Sequence, residues 1–284
     1  MESFNFLLFL AIILVSTKVL GIFSKKVKMP QVVGALVAGV ILGPSVLNLV
    51  QMESDGNFLA YMAEIGVILL MFCAGLETDL SELKANGVAS FIVAMCGVIV
   101  PLAGGFIAYA LYFHVDVSSF HECMKAVFVG TVLTATSVSI TVETLRELGH
   151  LKGKVGSTIL GAAIIDDILG IIVLTIVTSL EDTSVNPATV FGKIALYFVV
   201  IAVIWFVLAK LKPFLESQDQ LRRTAILALA FCFLMAYVSE KFFGIADITG
   251  AYFAGLMFCA FSVREYIGKK FNVFSDLYSL QVSE

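Results

Sequence analysis

The sequence predicts an all-α polytopic membrane protein with about nine transmembrane helices, one of them interrupted near the middle of the membrane. Two observations lead to this prediction. The 284 residues are 60% hydrophobic and only 14% charged, whereas a soluble domain of this length carries about 25% charged residues. Apolar runs of about 20 residues, enough for a helix to cross about 30 Å of hydrocarbon, recur from one end of the chain to the other.

The candidate spans follow one another with short polar connections between them. In chain order they are residues 4–23, 30–50, 57–77, 88–112, 123–145, 155–179, 188–210, 222–243 and 246–263. The three residues before the first span include no basic group of the kind that precedes a cleaved signal peptide, so we expect a retained helix. Residues 1–270 are predicted to form a single transmembrane domain. Residues 271–284 are too short to span and too apolar for a solvated tail, so we expect an unfinished helix or tail there.

Glycines mark two of these spans as close-packing helices. Gly34, Gly39 and Gly43, followed by Pro44, form a glycine-rich face in the second span, and Gly244, Gly250 and Gly255 recur at the last. A face without side chains lets two helix backbones approach each other, so we expect tight helix pairs at these positions.

Basic residues set the predicted orientation. With residue 1 outside, most of the 18 lysines and arginines fall in segments that face the cytoplasm, while the opposite loops are acidic. The reverse orientation would invert this distribution and contradict the positive-inside rule. We therefore predict a multi-pass protein whose N-terminus lies outside.

Two adjacent acids, Asp166 and Asp167, stand near the middle of the sixth span in the sequence GAAIIDDILG, residues 161–170. On insertion scales, an aspartate at the centre of a transmembrane helix raises the free energy of membrane insertion by about 2.5–3.5 kcal/mol, so the pair raises it by roughly 5–7 kcal/mol if the two values add. Because the two acids are present despite this cost in free energy, we expect them to have a function. The alternative, in which the pair caps a helix end or lies in a loop, disagrees with its central position.

The chemistry expected of this pair is competition between ions. Neighbouring residues of a helix point about 100° apart, so one carboxylate can line a water-filled cavity while the other finds a protein partner. A carboxylate shielded from water holds either a proton or a monovalent cation, and not readily both. This competition at one site is the minimal requirement for proton/cation exchange.

Hydroxyl residues crowd the middle of the fifth span, where Thr134, Thr136 and Ser137 stand together. They favour a helix interrupted in the membrane, with freed backbone groups near an ion, although such residues also serve as small packing groups. Two further acids are weaker candidates. Glu64 lies about two turns into the third span and either lines a cavity or subunit contact or reaches the outer interface, and Glu143 is placed to line a cytoplasmic funnel.

Five stretches of the chain together resemble the monovalent cation:proton antiporters, in particular their bacterial Kef-like and Nap-like branch. They are PQVVGALVAGVILGP (30–44), AEIGVILLMFCAGLETD (63–79), TATSVSITVETLRELG (134–149), GAAIIDDILG (161–170) and GAYFAGL (250–256). The resemblance implies two inverted repeats in thirteen helices, with a core domain that slides against a dimerisation domain. The family's last four helices would follow this sequence, so we expect an incomplete form of that fold.

The resemblance also implies roles for the candidate residues. Asp167 is expected to bind the ion and the proton, Asp166 to pair with a lysine, and Thr134 to Ser137 to form the unwound segment of a broken helix. The implied function is secondary active exchange of Na⁺, or K⁺, for H⁺ by alternating access. It is carried out by a homodimer in the lipid bilayer of a bacterial inner (plasma) membrane, without a cofactor or nucleic acid.

The sequence favours three other classes of function less strongly than this one. The runner-up is a transport-incompetent fragment, or a structural or regulatory partner of a transporter. An ion channel ranks lower because no filter-like loop lies between the spans. An enzyme is least expected because neither a nucleophile–base set nor a metal motif occurs in the sequence.

Overall fold

The computed structural model describes residues 5–49, 58–115, 119–181, 187–216, 221–259 and 261. The described residues form α-helices and a single π-helical turn, and no strand occurs among them. The elements are α1 (Asn5–Lys26), α2 (Gln31–Leu42), α3 (Phe58–Glu77), α4 (Leu80–Ala85), α5 (Gly87–Phe113), α6 (Phe120–Val132), α7 (Val138–Glu147), α8 (Lys154–Glu181), α9 (Pro187–Glu216), α10 (Leu221–Val238), the π turn (Ser239–Phe243) and α11 (Asp247–Phe258). The predicted all-α class is confirmed, while the predicted tail, residues 271–284, lies outside the described residues.

Six helices of the described chain are long and apolar enough to cross a membrane. They are Leu7–Lys26, Phe58–Glu77, Gly87–Phe113, Lys154–Val177, Ala188–Pro213 and Arg223–Phe243. Each coincides with a predicted span, because the thickness of the hydrocarbon sets both the length and the composition of such a segment.

The full set of nine spans is not confirmed. Within the described residues, the predicted spans 30–50 and 246–263 correspond to the 12-residue helices α2 and α11. The predicted span 123–145 corresponds to α6 and α7, of 13 and 10 residues. All of these helices are shorter than the roughly 20 residues that cross the hydrocarbon alone.

Pro44 explains why α2 ends early. A proline disfavours helical backbone at the residue before it and has no N–H of its own to donate. Gly43 is accordingly extended, with φ −70° and ψ −179°. The chain then turns back on the helix end, where the N–H groups of Leu47 and Leu49 donate to the carbonyls of Ile41 and Leu42, at 3.0 Å each.

The helices pack in two groups. In the first, which we call the bundle, α5 packs against both α6 and α8, and α7 contacts α8. In the second, which we call the panel, α3 packs along α11 and α11 along α10, while α1 packs along α2 and contacts α3.

Glycines form the closest helix crossings. A Cβ on Gly75 of α3 would lie 3.0 Å from the Cα of Gly255 on α11, and it would overlap the carbonyl oxygen of Tyr252. A Cβ on Gly34 would overlap the backbone of Leu20 on α1 in the same way. The close helix packing predicted at Gly34 and Gly255 is confirmed, and backbone contact rather than side-chain interdigitation fixes these pairs. The same prediction is wrong for Gly244, where a Cβ would meet no atom within 4 Å among the described residues.

Candidate functional site

Asp167 lies near the middle of α8 and points across to α11. Its Oδ2 accepts a hydrogen bond of 3.3 Å from the hydroxyl of Thr249, a residue 82 positions further along the chain. Thr249 stands in the first turn of α11 and is 1% exposed. The carboxylate of Asp167 therefore sits where the bundle meets the panel.

Asp166 faces a different neighbour, as the angle between adjacent helical residues requires. Its Oδ1 lies 3.7 Å from where a Cβ on Gly97 of α5 would stand. This oxygen is buried and has no hydrogen-bond partner among the described residues. Neither carboxylate forms an ion pair with a lysine or arginine of the described ranges. Because a buried polar atom without a partner is costly, this oxygen favours an added proton, cation or water.

The predicted hydroxyl cluster falls between α6 and α7. Thr134 is 3% exposed, and its hydroxyl donates to the Thr131 carbonyl at 2.7 Å. Thr136 donates to the Thr134 carbonyl at 3.3 Å, and Ser137 caps α7 by accepting from the Ile140 N–H at 3.4 Å. In the described part of the chain these hydroxyls bond to nearby backbone, and none of them hydrogen-bonds to either aspartate.

Glu64 is not brought to the aspartates but joins a separate acidic group. It is exposed on α3, and its carboxylate lies within 4.8 Å of those of Glu240 and Asp247. Asp247 also accepts a hydrogen bond of 2.7 Å from the Ile248 N–H at the start of α11. Whether Glu64 lines a cavity or a subunit contact, or reaches the outer interface, remains a prediction.

Glu143 is found in an ionic cluster that the sequence analysis missed. Arg146 of α7 lies 3.7 Å from Glu143 and 3.8 Å from Glu77, the last residue of α3, and its side chain is only 18% exposed. Glu147 accepts a bond of 2.6 Å from the Gln31 N–H at the start of α2. The only signal in the sequence was the spacing of Glu143 and Arg146, three residues apart on one helix face. The C-terminal end of α7 is thus tied to two helices of the panel.

Replacing Arg146 by methionine is expected to destabilise the folded protein. The substitution leaves two partly buried carboxylates near one another without their shared cation. We expect this to cost about 2 kcal/mol, between the values for exposed and for fully buried ion pairs. The midpoint of thermal unfolding in detergent should fall by roughly 5 °C. Glu143→Gln, which leaves the contact between Arg146 and Glu77 in place, should cost less than half as much. Equal losses in the two variants would show that the cluster does not depend on the arginine.

These features define a class of protein: a polytopic helical membrane protein with an acidic site inside a transmembrane helix, at the meeting of two helix groups. The chain belongs to the sodium/hydrogen exchanger family. The family model for the transmembrane region of sodium/hydrogen exchangers matches residues 10–282. The resemblance stated from the sequence is confirmed.

Proteins named as antiporters are among the most similar relatives. The chain is 39% identical over 270 residues to the Na⁺/H⁺-K⁺ antiporter GerN of Bacillus cereus, covering 94% of this chain and 67% of that protein. It is 36% identical over 261 residues to a Na⁺/H⁺ antiporter of Enterococcus hirae, covering 89% of this chain and 64% of that protein. The chain thus spans about two thirds of the length of these relatives.

A solved structure shares the fold. The sodium proton antiporter MjNhaP1 from Methanocaldococcus jannaschii, determined at pH 8, superposes with a TM-score of 0.65 over 99% of this chain and 68% of that one. An electron-microscopy map of the same protein gives a TM-score of 0.70. At 18% sequence identity, this likeness establishes the fold and no more.

Proposed function

We propose that the chain is the ion-exchanging part of a secondary active transporter, which moves Na⁺, or K⁺, against H⁺ by alternating access. Asp167 is the exchange site and Asp166 its neighbour. One observation carries the proposal: two carboxylates lie midway along a membrane-length helix, and they have no cationic partner among the described residues. The antiporters named among the relatives support the same function.

The physical basis of exchange is charge neutralisation. An uncompensated carboxylate deep in a membrane is strongly disfavoured, so Asp167 needs a positive partner whenever it leaves contact with water. A proton and a dehydrated monovalent cation each neutralise the single charge. Because both bind the same oxygens, the arrival of one releases the other, which couples the two fluxes.

The segment between α6 and α7 is proposed as the break in one interrupted membrane helix. α6 ends at Val132 and α7 begins at Val138, and together they replace the single predicted span 123–145. Backbone groups at such a break lack helical partners and become available to an ion, while Thr134, Thr136 and Ser137 add oxygens. Glu143 and Glu64 would then attract cations from the two sides of the membrane.

The contacts between the two helix groups support alternating access. Asp167 and Thr249 meet at mid-helix of α8, whereas Arg146 and Glu77 meet at the end of α3 that we place in the cytoplasm. Movement of the bundle along the panel would break these ties and expose Asp167 to one side at a time. The orientation rests on the basic residues Lys25 and Lys26 that close α1. We expect two copies to associate in a bacterial inner membrane.

Proton flux in proteoliposomes tests the proposal. The purified chain is reconstituted in vesicles that hold a pH-sensitive dye and an imposed acid interior. Addition of Na⁺ or K⁺ outside should release protons and restore the fluorescence, whereas vesicles without protein should show no response. If the chain binds Na⁺ yet moves no protons, it is not a transporter on its own, and the alternative of a partner protein gains support.

A further inference from the structure

Thr249 is the unexpected member of the site. It stands in the first turn of α11, outside every stretch that suggested chemistry in the sequence. In the described part of the chain it is the only residue that hydrogen-bonds to the side chain of Asp167. It also comes from the panel, whereas both aspartates belong to the bundle.

The direction of this hydroxyl distinguishes Thr249 from Thr131 and Thr158, which also lie in the helices. Threonine hydroxyls inside helices commonly bond back to the carbonyl four residues earlier. Thr131 does so with Val127 at 2.9 Å, and Thr158 does so with Lys154 at 2.7 Å. Thr249 instead reaches across to another helix, while its own backbone N–H donates to the carbonyl of Ala246, three residues earlier, at 3.0 Å.

The backbone that carries Thr249 is held rigidly. The next residue, Gly250, lies so close to α10 that a Cβ there would overlap the hydroxyl of Ser239, and it would stand 2.5 Å from the Met235 carbonyl oxygen. Ser239 is fixed in turn by its bonds to Met235, at 2.7 Å, and to Tyr197, at 3.0 Å. Thr249 therefore presents its oxygen from a fixed position, which is what a binding site requires of a ligand.

A hydroxyl fits every state that the exchange site must pass through. It carries one donor and two acceptor lone pairs, and it rotates to suit its partner. It donates to Asp167 when the carboxylate is charged and empty. It accepts from the carboxyl group when Asp167 is protonated, and it turns a lone pair to the metal when a cation binds.

We propose that Thr249 is a ligand of the transported cation, supplying its hydroxyl oxygen from α11 across the interface to the ion held by Asp167. This inference rests on the proposed exchange function and extends it to a residue on the panel. The site is then shared between two helix groups. The cation is bound most completely when the groups stand as they do in this structure, and it is released when they move apart.

The test separates binding from turnover in reconstituted vesicles. Thr249→Val removes the hydroxyl and keeps the branched shape, and it should raise the KM for Na⁺ about tenfold, the factor for one lost ligand of about 1.4 kcal/mol. The maximal rate should stay within about twofold. Thr249→Ser keeps the hydroxyl and should restore the KM. Na⁺-dependent thermal stabilisation of the purified proteins should follow the same order.

Thr158→Val serves as the matched control, because it removes a hydroxyl of α8 that bonds only to its own helix, and its KM should remain that of the parent. If Thr249→Val cannot be purified, Thr249→Ala is compared with Thr249→Ser instead. An unchanged or lower KM without the hydroxyl, or a serine variant as impaired as the valine, overturns the proposal. If the parent itself shows neither Na⁺-driven flux nor Na⁺-dependent stabilisation, the result contradicts the proposed exchange function and, with it, the proposed role of Thr249.

Discussion

Replacing Asp167 by asparagine should abolish cation-driven proton release from reconstituted vesicles. Asparagine has nearly the same shape, and its carbonyl oxygen still accepts from Thr249, so the contact between α8 and α11 is preserved. The amide nevertheless carries no charge and takes up no proton at any working pH. A site that cannot alternate between a proton and a cation has nothing to exchange, and flux should fall to the level of empty vesicles.

The measurement is fluorescence dequenching of a pH dye on addition of Na⁺ or K⁺, with thermal unfolding of each purified variant as the check on folding. Asp79→Asn is the matched control. Asp79 is an exposed cap that accepts from the Ser81 N–H at 2.8 Å, and asparagine caps helices equally well. Flux above background in Asp167→Asn would remove Asp167 from its assigned role.

Asp166→Asn is expected to reduce exchange less than Asp167→Asn does, because the two carboxylates face different helices and have different proposed roles. Asp166 faces α5 rather than the interface with α11, and its buried Oδ1 lacks a hydrogen-bond partner among the described residues. Removing its charge should leave exchange running with a changed charge per cycle or a changed ion preference. Membrane-potential dependence of the flux measures the first, and Na⁺/K⁺ competition measures the second. If both are unchanged, Asp166 does not take part in the exchange.

Sequence alone predicted the parts of the fold that the membrane dictates. The six long helices coincide with apolar runs of the sequence, because the bilayer requires the same length and apolar composition of every transmembrane helix, whatever the fold. The place of Asp166 and Asp167 in mid-helix followed from the same reasoning. The early end of α2 was not predicted, because the apolar run continues to residue 50 and hides the effect of Pro44, which directly follows Gly43.

The partners of the site residues could not be predicted in this way. Thr249 lies 82 residues from Asp167, and only the packing of α11 against the rest of the chain brings it there. In the sequence Arg146 is one basic residue near a helix end, and its contact with Glu77 depends on how α7 meets α3. Periodicity and composition describe single helices, whereas a shared site depends on which helices meet.

The crossing of α3 and α11 is where a minimal substitution should do most harm to the fold. Gly255→Ala adds one methyl group, which in an open helix position would stabilise by about 0.5–1 kcal/mol. Here the new Cβ would overlap the Phe72 carbonyl oxygen, and it would lie 2.9 Å from the Leu76 nitrogen. Both are backbone atoms of α3, so the helices themselves must separate. We expect a loss of about 3 kcal/mol, which is the upper end for overpacking.

Thermal unfolding in detergent should therefore show a midpoint lowered by roughly 10 °C for Gly255→Ala, and by a similar amount for Gly75→Ala on the facing helix. Gly104→Ala is the control, since no atom lies within 4 Å of its added Cβ, and its midpoint should be unchanged or raised. The double variant at Gly75 and Gly255 should lose less than the two single losses together, because helices already forced apart accommodate the second methyl group. A strictly additive double variant, or a Gly255→Ala protein as stable as the parent, would contradict a backbone crossing at this point. Since Thr249 precedes Gly255 on α11, a displaced crossing should also weaken Na⁺ binding at Asp167, which links the stability of the panel to the chemistry of the site.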